Sequence, residues 1–536
     1  MIKHHLVLII SLVFFLALLA IGLSIYKDFG VPTDESAQLQ IAVWNHRYIF
    51  KGDPTLLSFK DRYYGAIFEL PLFELYTRFV GPESIYVRHL ALFLIFLVSL
   101  IIFYLLGRRL FHNPWWGLLA AGMLVATPRI FADAFYNSKD IPFMDMFIVA
   151  VWTLVLLIDS LKEKSSQTKI HIMVGLHALA SAVLVDTRVA GIVIIPISLV
   201  LLLAIEWTLV KSWKHTVVDI LLYLVFFAGL TILFWPVLWH DPIGGFLNAF
   251  QQMSKYDVYG KAVLFMGKYV PTESLPWQYL PVWIGISTPL VILAGIIIGF
   301  AEGIRSLTVS IRKGLNSWIQ SIARLLTDPD KLAWLAVLGW LVIPIAAVYW
   351  FHSVLYNGWR QMFFIYPALV LISVYGFFSL RGWLVRNSRH WVAGTLVTLF
   401  VLAVGLAEPI GFIVRYHPYE YIYFNQLAGD PATIRYRFEL DYWCLSYKQA
   451  IDYILAHDPR QAIPITVADS PGLDYIYSAL LPAQRSRLVI LANQDNGADY
   501  FIGDYLFHPK DYYPSRREYF SVFVRGIKII VVYRLR

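Results

Sequence analysis

Charge is scarce in this chain. Asp, Glu, Lys and Arg make up only 15% of the 536 residues, where a soluble domain carries roughly 25%. With 58% hydrophobic residues, 18 Trp, 33 Tyr and 36 Phe and a mean hydropathy of +0.61, this excludes a disordered chain, a coiled coil and an ordinary cytosolic enzyme. Cysteine is almost missing. The single Cys444 excludes an intrachain disulfide and a multi-cysteine metal site. No phosphate-binding glycine loop, dinucleotide fingerprint or Gly-x-Ser-x-Gly occurs. The histidines are scattered without metal-ligand spacing. No cofactor is certain from the sequence, and a divalent metal stays open although no residue pattern indicates it. There is also no Asn-x-Ser/Thr sequon, which favours a bacterial plasma membrane over a eukaryotic lumen.

What is present is apolar sequence long enough to cross a bilayer, about 20 residues at a time. Leu6 to Ile25 carries no charge and no small-residue cleavage site follows it, so it reads as an uncleaved first span. Further spans are expected at 90–106, 115–130, 141–158, 170–186, 189–206, 218–238, 281–300, 332–350, 361–380 and 391–410. The expected fold is thus a polytopic α-helical membrane protein with about eleven transmembrane helices. Basic residues fall in alternate loops: Lys3; Arg108 and Arg109; Lys162, Lys164 and Lys169; Lys211 and Lys214; Arg305, Arg312, Lys313, Arg324 and Lys331; Arg381, Arg386 and Arg389. All share one side if the N-terminus is cytoplasmic. The net charge of +8 is then a topology signal, and no nucleic-acid partner is expected. Ile304–Leu326 reads as a basic amphipathic helix on the cytoplasmic surface.

The opposite side receives the long loops 26–88 and 239–280 and everything from about 411. The expected division is a membrane domain, 1–413, and a small external α/β domain, 414–536, periplasmic or extracellular. In the latter, Tyr447–Ala456 reads as a helix and Ile463–Ala468 and Leu488–Leu491 as strands. Tyr519–Val524 and Ile527–Tyr533 read as a hairpin around Arg525-Gly526.

Charge near a bilayer is costly, so its placement points to function. Pro32-Thr33-Asp34-Glu35 follows the first span. A helix start capped by Thr33 accounts for acids there but does not require two. Asn137-Ser138-Lys139-Asp140-Ile141-Pro142 joins the outer ends of the third and fourth spans. Asn137 or Ser138 suits a cap. Lys139 does not, because a cation opposes the helix N-terminal dipole; it suits a bound anion such as phosphate. Arg188 and Arg360 lie at outer ends as well. Their bland explanations are a local pair with Asp186 and interfacial snorkelling beside Trp359. Outward acids can deprotonate a hydroxyl, and outward cations can hold a phosphate leaving group. A site on that side has no access to cytosolic sugar nucleotides, so an activated donor there has to travel on a lipid.

These motifs resemble the GT-C superfamily of polyprenyl-phosphate-sugar-dependent glycosyltransferases. The likeness is to bacterial relatives of dolichyl-phosphate-mannose protein mannosyltransferase and of the lipid A aminoarabinose transferase. It rests on Asp34-Glu35 after the first span and on Asn137 to Phe143. Leu275 to Trp283, Tyr356 to Gln361, His417 to Tyr421 and Phe438 to Trp443 add to it. Relatives often carry Lys-Pro-Pro in the first loop, where Lys60-Asp61-Arg62-Tyr63-Tyr64-Gly65 stands here. The resemblance implies that Asp34 is the general base and that Glu35 and Asp140 orient the acceptor or tune Asp34. It implies that Lys139, Arg188 and Arg360 bind the donor phosphate, and Tyr64, His352 and Tyr356 are the expected substrate-binding residues. The implied partners are a polyprenyl-phosphate-linked sugar and an acceptor lipid, glycan or protein. The loop 239–280, with Tyr256, Tyr259, Tyr269 and Trp277, would cover the sugar or form an interfacial belt. A transporter or lipid flippase is the alternative, kept open by Asp145, Asp186 and Asp219 in or beside spans. A non-catalytic scaffold is the third.

Overall fold

A computed structural model describes residues 2–163, 165–205, 213–254, 262–312, 327–387, 391–468, 473–492 and 497–536. Lys164, Lys211, Lys313, Arg324, Arg389, Tyr256 and Tyr259 lie outside the described residues, as do residues 313–326 of the expected surface helix Ile304–Leu326; its residues 304–312 continue the helix Leu290–Arg312. Nine helices among the described residues are long and apolar enough to span a bilayer. They are Leu6–Ile25, Pro82–Phe111, Asp140–Lys162, Gln167–Thr187, Trp213–Phe234, Leu290–Val309, Pro329–Phe351, Arg360–Asn387 and Val392–Tyr416. Leu12, Val13, Leu221 and Phe400 stay exposed on their outer faces, as lipid-facing side chains do. The chain is a multi-pass membrane protein.

Three expected spans take a different form, and proline accounts for two of them. The span at 115–130 is a pair, Pro114–Val125 and Pro128–Tyr136, bent by 72°. Thr127, pushed out of helical geometry before Pro128, has φ −83° and ψ 110°. The span at 281–300 is broken likewise: Tyr279–Ser287 ends at an extended Thr288 before Pro289, and the crossing helix starts at Leu290. The segment 189–206 opens with the 3-10 turn Val189–Val193 and is α-helix over Ile194–Ile205 among the described residues. Among the described residues the count by length and composition is nine, or ten with the bent pair, and Val189–Ile205 is a shorter apolar helix beside them.

The two ends of the bundle differ in chemistry. At one end Arg109 bonds Asp159 at 2.6 Å and Asp330 at 2.7 Å, tying three helices together. The other end carries Asp34, Asp140, Arg188 and Arg360, at the opposite termini of their helices. Close backbone approach there depends on two glycines. A Cβ on Gly30 would sit 2.1 Å from the Leu445 carbonyl oxygen, and one on Gly65 would sit 1.6 Å from that of Asp186.

Beyond Tyr416 the described residues form a five-stranded sheet in the order β4-β3-β5-β7-β6. Here β3 is Ile463–Val467, β4 Leu488–Ile490, β5 Tyr500–Asp504, β6 Glu518–Val524 and β7 Ile527–Arg534. The first three are parallel, and β7 and β6 run antiparallel to their neighbours. The β6–β7 turn has positive φ at Arg525 and Gly526, which matches the right-handed twist of a hairpin. The helix Tyr447–His457 packs on the sheet. A second hairpin, β1 (Ala262–Phe265) and β2 (Lys268–Pro271), lies in the 239–280 loop. A bridge from Phe265 to Phe438 joins it to the C-terminal region.

Candidate active site

The helix Asp34–Lys51 begins at Thr33, but the Thr33 side chain makes no capping bond. Its backbone N–H instead donates to the Trp443 carbonyl at 3.2 Å. The chain entering this helix is therefore held by the C-terminal region, and the Asp34 carboxylate turns toward other elements. Asp34 Oδ2 lies 3.2 Å from Lys139 Nζ and 3.5 Å from Arg360 Nη2.

Lys139 stands just before the helix Asp140–Lys162. Asn137 does the capping, its Oδ1 accepting from the Asp140 N–H at 2.8 Å and the Lys139 N–H at 3.3 Å. That frees the Lys139 ammonium to cross to Asp34 and to lie 5.0 Å from the centre of the Tyr64 ring. Arg188 does not pair with its neighbour Asp186, whose carboxylate accepts from the Ile67 N–H at 2.9 Å. Arg188 bonds Asp140 Oδ1. Arg360 does not snorkel: its side chain is only 1% exposed and bonds Asp140 Oδ2 at 2.8 Å. Five charged groups from four parts of the chain thus converge, three cations on two carboxylates.

Asp34 is the accessible member, with 34% of its side chain exposed against 1% for Asp140. Burial works to raise the Asp34 carboxyl, but the Lys139 and Arg360 charges overcome it and hold the pKa below the ordinary value. Burial likewise works to lower Lys139, and the facing Asp34 reverses it, so its pKa is raised. Asp34 is a carboxylate and Lys139 an ammonium across the neutral range. Pro32, Gln38, Tyr136 and Trp443 wall the same cleft. It encloses about 10 Å³, room for roughly one water.

Glu35 also lines this cleft, but its carboxylate is bonded outside the cluster. It accepts from Arg88 Nε at 2.5 Å, and Arg88 Nη2 reaches Glu69 at 2.9 Å, all three buried. Tyr356 lies against Arg360, ring centre to guanidinium 5.2 Å. His352 stands apart. It ends the helix Pro329–Phe351 in left-handed geometry and lines a separate cleft with Glu273, Tyr349 and Leu355. Among the described residues no group of three or more His, Cys, Asp or Glu could hold a metal ion.

Two contributors were hidden in the motif Phe438 to Trp443. Trp443 lies with its ring centre 4.7 Å from the Arg360 guanidinium. Its turn is shaped by Asp441, whose carboxylate accepts from the Leu445 and Ser446 N–H groups at 2.9 and 2.8 Å. Glu439 is buried beneath the turn that leads to Arg360. Burial drives its carboxyl up to about 8, although the backbone N–H groups of Gly358, Asn357 and Leu264 draw it back. The motif was singled out only by resemblance, and only the tertiary fold brings it over the first loop.

No protein-family model and no curated relative matches the chain. Among solved structures it is similar to the oligosaccharyltransferase AglB from Archaeoglobus fulgidus, in complex with an inhibitory peptide and a dolichol-phosphate. The identity is 11% over 92% of this chain and 69% of that one, with a TM-score of 0.49. It is also similar to ArnT from Cupriavidus metallidurans bound to undecaprenyl phosphate, at 14% identity over 97% of this chain and 98% of that one, with a TM-score of 0.47. Likenesses at this level transfer neither substrate nor residue roles, and the functional reading rests on the cluster around Asp34.

Proposed function

We propose that the chain is an inverting membrane glycosyltransferase that takes a sugar from a polyprenyl-phosphate donor and places it on an acceptor hydroxyl. The observation that carries this reading is the half-exposed Asp34 carboxylate beside the Lys139 and Arg360 cations. Asp34 takes the proton from the acceptor hydroxyl. The acceptor oxygen attacks the anomeric carbon from the face opposite the phosphate, and the bond from that carbon to the phosphate oxygen breaks. The electron pair leaves with the phosphate, whose growing charge Lys139 and Arg360 stabilise. Because Asp34 is depressed below its ordinary value, the base stays ionised at any physiological pH.

Asp140 is assigned a supporting role: it bonds Arg188 and Arg360 and is nearly inaccessible. Glu35, locked to Arg88, fixes the first turn of the helix that carries Asp34. The lysine- and arginine-rich loops favour a cytoplasmic N-terminus, which puts the cluster on the outer face of a bacterial plasma membrane. Asp145 bonds Ser99, Asp186 the Ile67 N–H, and Asp219 pairs with His171. Each of these acids has its own local partner, which lends the transporter reading no continuous path. Incubating the purified protein with a panel of polyprenyl-phosphate sugars and candidate acceptors tests the proposal. Release of polyprenyl phosphate tied to acceptor glycosylation supports it; no release with any donor counts against it.

A further inference from the structure

The charged cluster leaves two buried N–H donors without acceptors. Arg360 uses Nη1 on Asp140 and Nη2 near Asp34, but its Nε has no partner among the described residues. Trp443, 3% exposed, likewise has an unpartnered indole Nε1. The two residues are in contact, guanidinium to ring centre 4.7 Å. Trp443 also lines the Asp34–Lys139 cleft. A buried donor without an acceptor keeps an uncompensated desolvation cost, and two in adjacent side chains mark a place where an acceptor belongs. The surrounding charge says what kind: three cations face two carboxylates, an excess of one positive charge.

We infer that Trp443 is a phosphate-binding residue of the active site, its indole N–H and Arg360 Nε donating together to a phosphoryl oxygen of the lipid-linked donor. The inference rests on the glycosyltransferase reading and makes the C-terminal region part of the active site. The backbone supports this placement. Asp441 shapes the turn that contains Trp443, and the Trp443 carbonyl accepts from the N–H of Thr33, next to Asp34. Trp443 is thus fixed relative to the base as well as to Arg360. Aromatic contact alone would be met by phenylalanine; the N–H would not.

The test compares wild type with Trp443→Phe, which keeps a ring on Arg360 and removes the donor. Binding of undecaprenyl phosphate, undecaprenol and inorganic phosphate to the purified full chain is measured for each, with melting temperature as a check on folding. The expected result is a loss of about tenfold or more in undecaprenyl phosphate affinity, the scale of a hydrogen bond to a charged group, with undecaprenol unaffected. An equal loss for inorganic phosphate, bound as tightly by the wild type, supports the same contact with free phosphate as its ligand. Arg360→Lys keeps a charge but lacks Nε. It should also weaken binding, and adding Trp443→Phe to it should cost less than in the wild type. That cycle carries the test if Trp443→Phe alone folds poorly. Unchanged affinity in Trp443→Phe, with wild-type binding intact, overturns this inference and leaves the glycosyltransferase reading standing. A wild type that binds no phosphate lipid overturns both.

Discussion

Removing the charge of Asp140 should harm the protein more than removing that of Arg360, although the two are partners in one buried pair. Both side chains are 1% exposed and their bond is 2.8 Å. Deleting one partner of a buried ion pair usually costs about 3–5 kcal/mol, because the other is left uncompensated. Here the remaining partners break the symmetry. In Arg360→Gln, Asp140 keeps Arg188 and Asp34 keeps Lys139, so two cations face two acids. The cost should fall below that range, to about 1–2 kcal/mol. In Asp140→Asn, three cations face Asp34 alone, and Arg188 loses the carboxylate it bonds. The cost should reach the full range of about 3–5 kcal/mol. The assay is reversible denaturant unfolding in detergent or bicelles, with the double variant closing a cycle. The double variant should be more stable than Asp140→Asn alone, since it removes one of the stranded cations. If Arg360→Gln costs as much as Asp140→Asn, or more, the excess of positive charge assigned to the cluster is wrong.

Lys139→Ala should weaken binding of the phosphate lipid and slow transfer, and Lys139→Arg should restore only part of either, because the fork and the point charge place their hydrogen bonds differently; isothermal titration and release of lipid phosphate give both numbers. Glu439 gives a pH dependence. Its carboxyl lies at about 8 in the fold and about 4.3 when unfolded, so the native state holds the extra proton. Its favourable contribution is complete below about pH 4.3, falls as pH rises, and is gone above about pH 8. Melting curves from pH 5 to 8 should therefore show a decline that Glu439→Gln flattens; an equal decline in the variant would contradict the assignment. A C-terminal alkaline phosphatase fusion should be active and a C-terminal fluorescent protein dark, as an external C-terminus requires.

Much of this site was legible in the sequence because membrane insertion makes charge expensive. Asp34, Lys139, Asp140, Arg188 and Arg360 stood out by lying at helix ends on one side, and the structure brings all five together. Pairing was not legible. Asp186, two residues away, was the local alternative as a partner for Arg188, yet Asp186 is taken by the Ile67 backbone at a contact that Gly65 makes possible. Glu35 and Asp34 are neighbours in sequence but point to different partners, since successive residues on a helix lie about 100° apart. His352 shares the outer end with Arg360, yet the left-handed turn at the end of its helix sends it to another cleft. In the C-terminal region the helix and the closing hairpin were readable from their periodicity. The central strand β5 was not: all five of its residues are buried, so it shows no alternation, and Gly503 and Asp504 resemble a turn.

Asp34 acting as the base in a sugar transfer from a phosphate lipid is the step on which the proposed function depends. Its most direct test is one experiment on wild type and Asp34→Asn, with a polyprenyl-phosphate sugar that the wild type accepts. Donor binding and release of polyprenyl phosphate are followed together. Asparagine keeps the shape and removes the charge, and loss of a general base costs about 10²–10⁴-fold in rate. The variant should fold and bind donor at least as well as wild type, since a carboxylate facing the phosphate cations has been neutralised, and should transfer sugar at least about a hundredfold more slowly. Transfer at near the wild-type rate by Asp34→Asn would remove Asp34 from the mechanism.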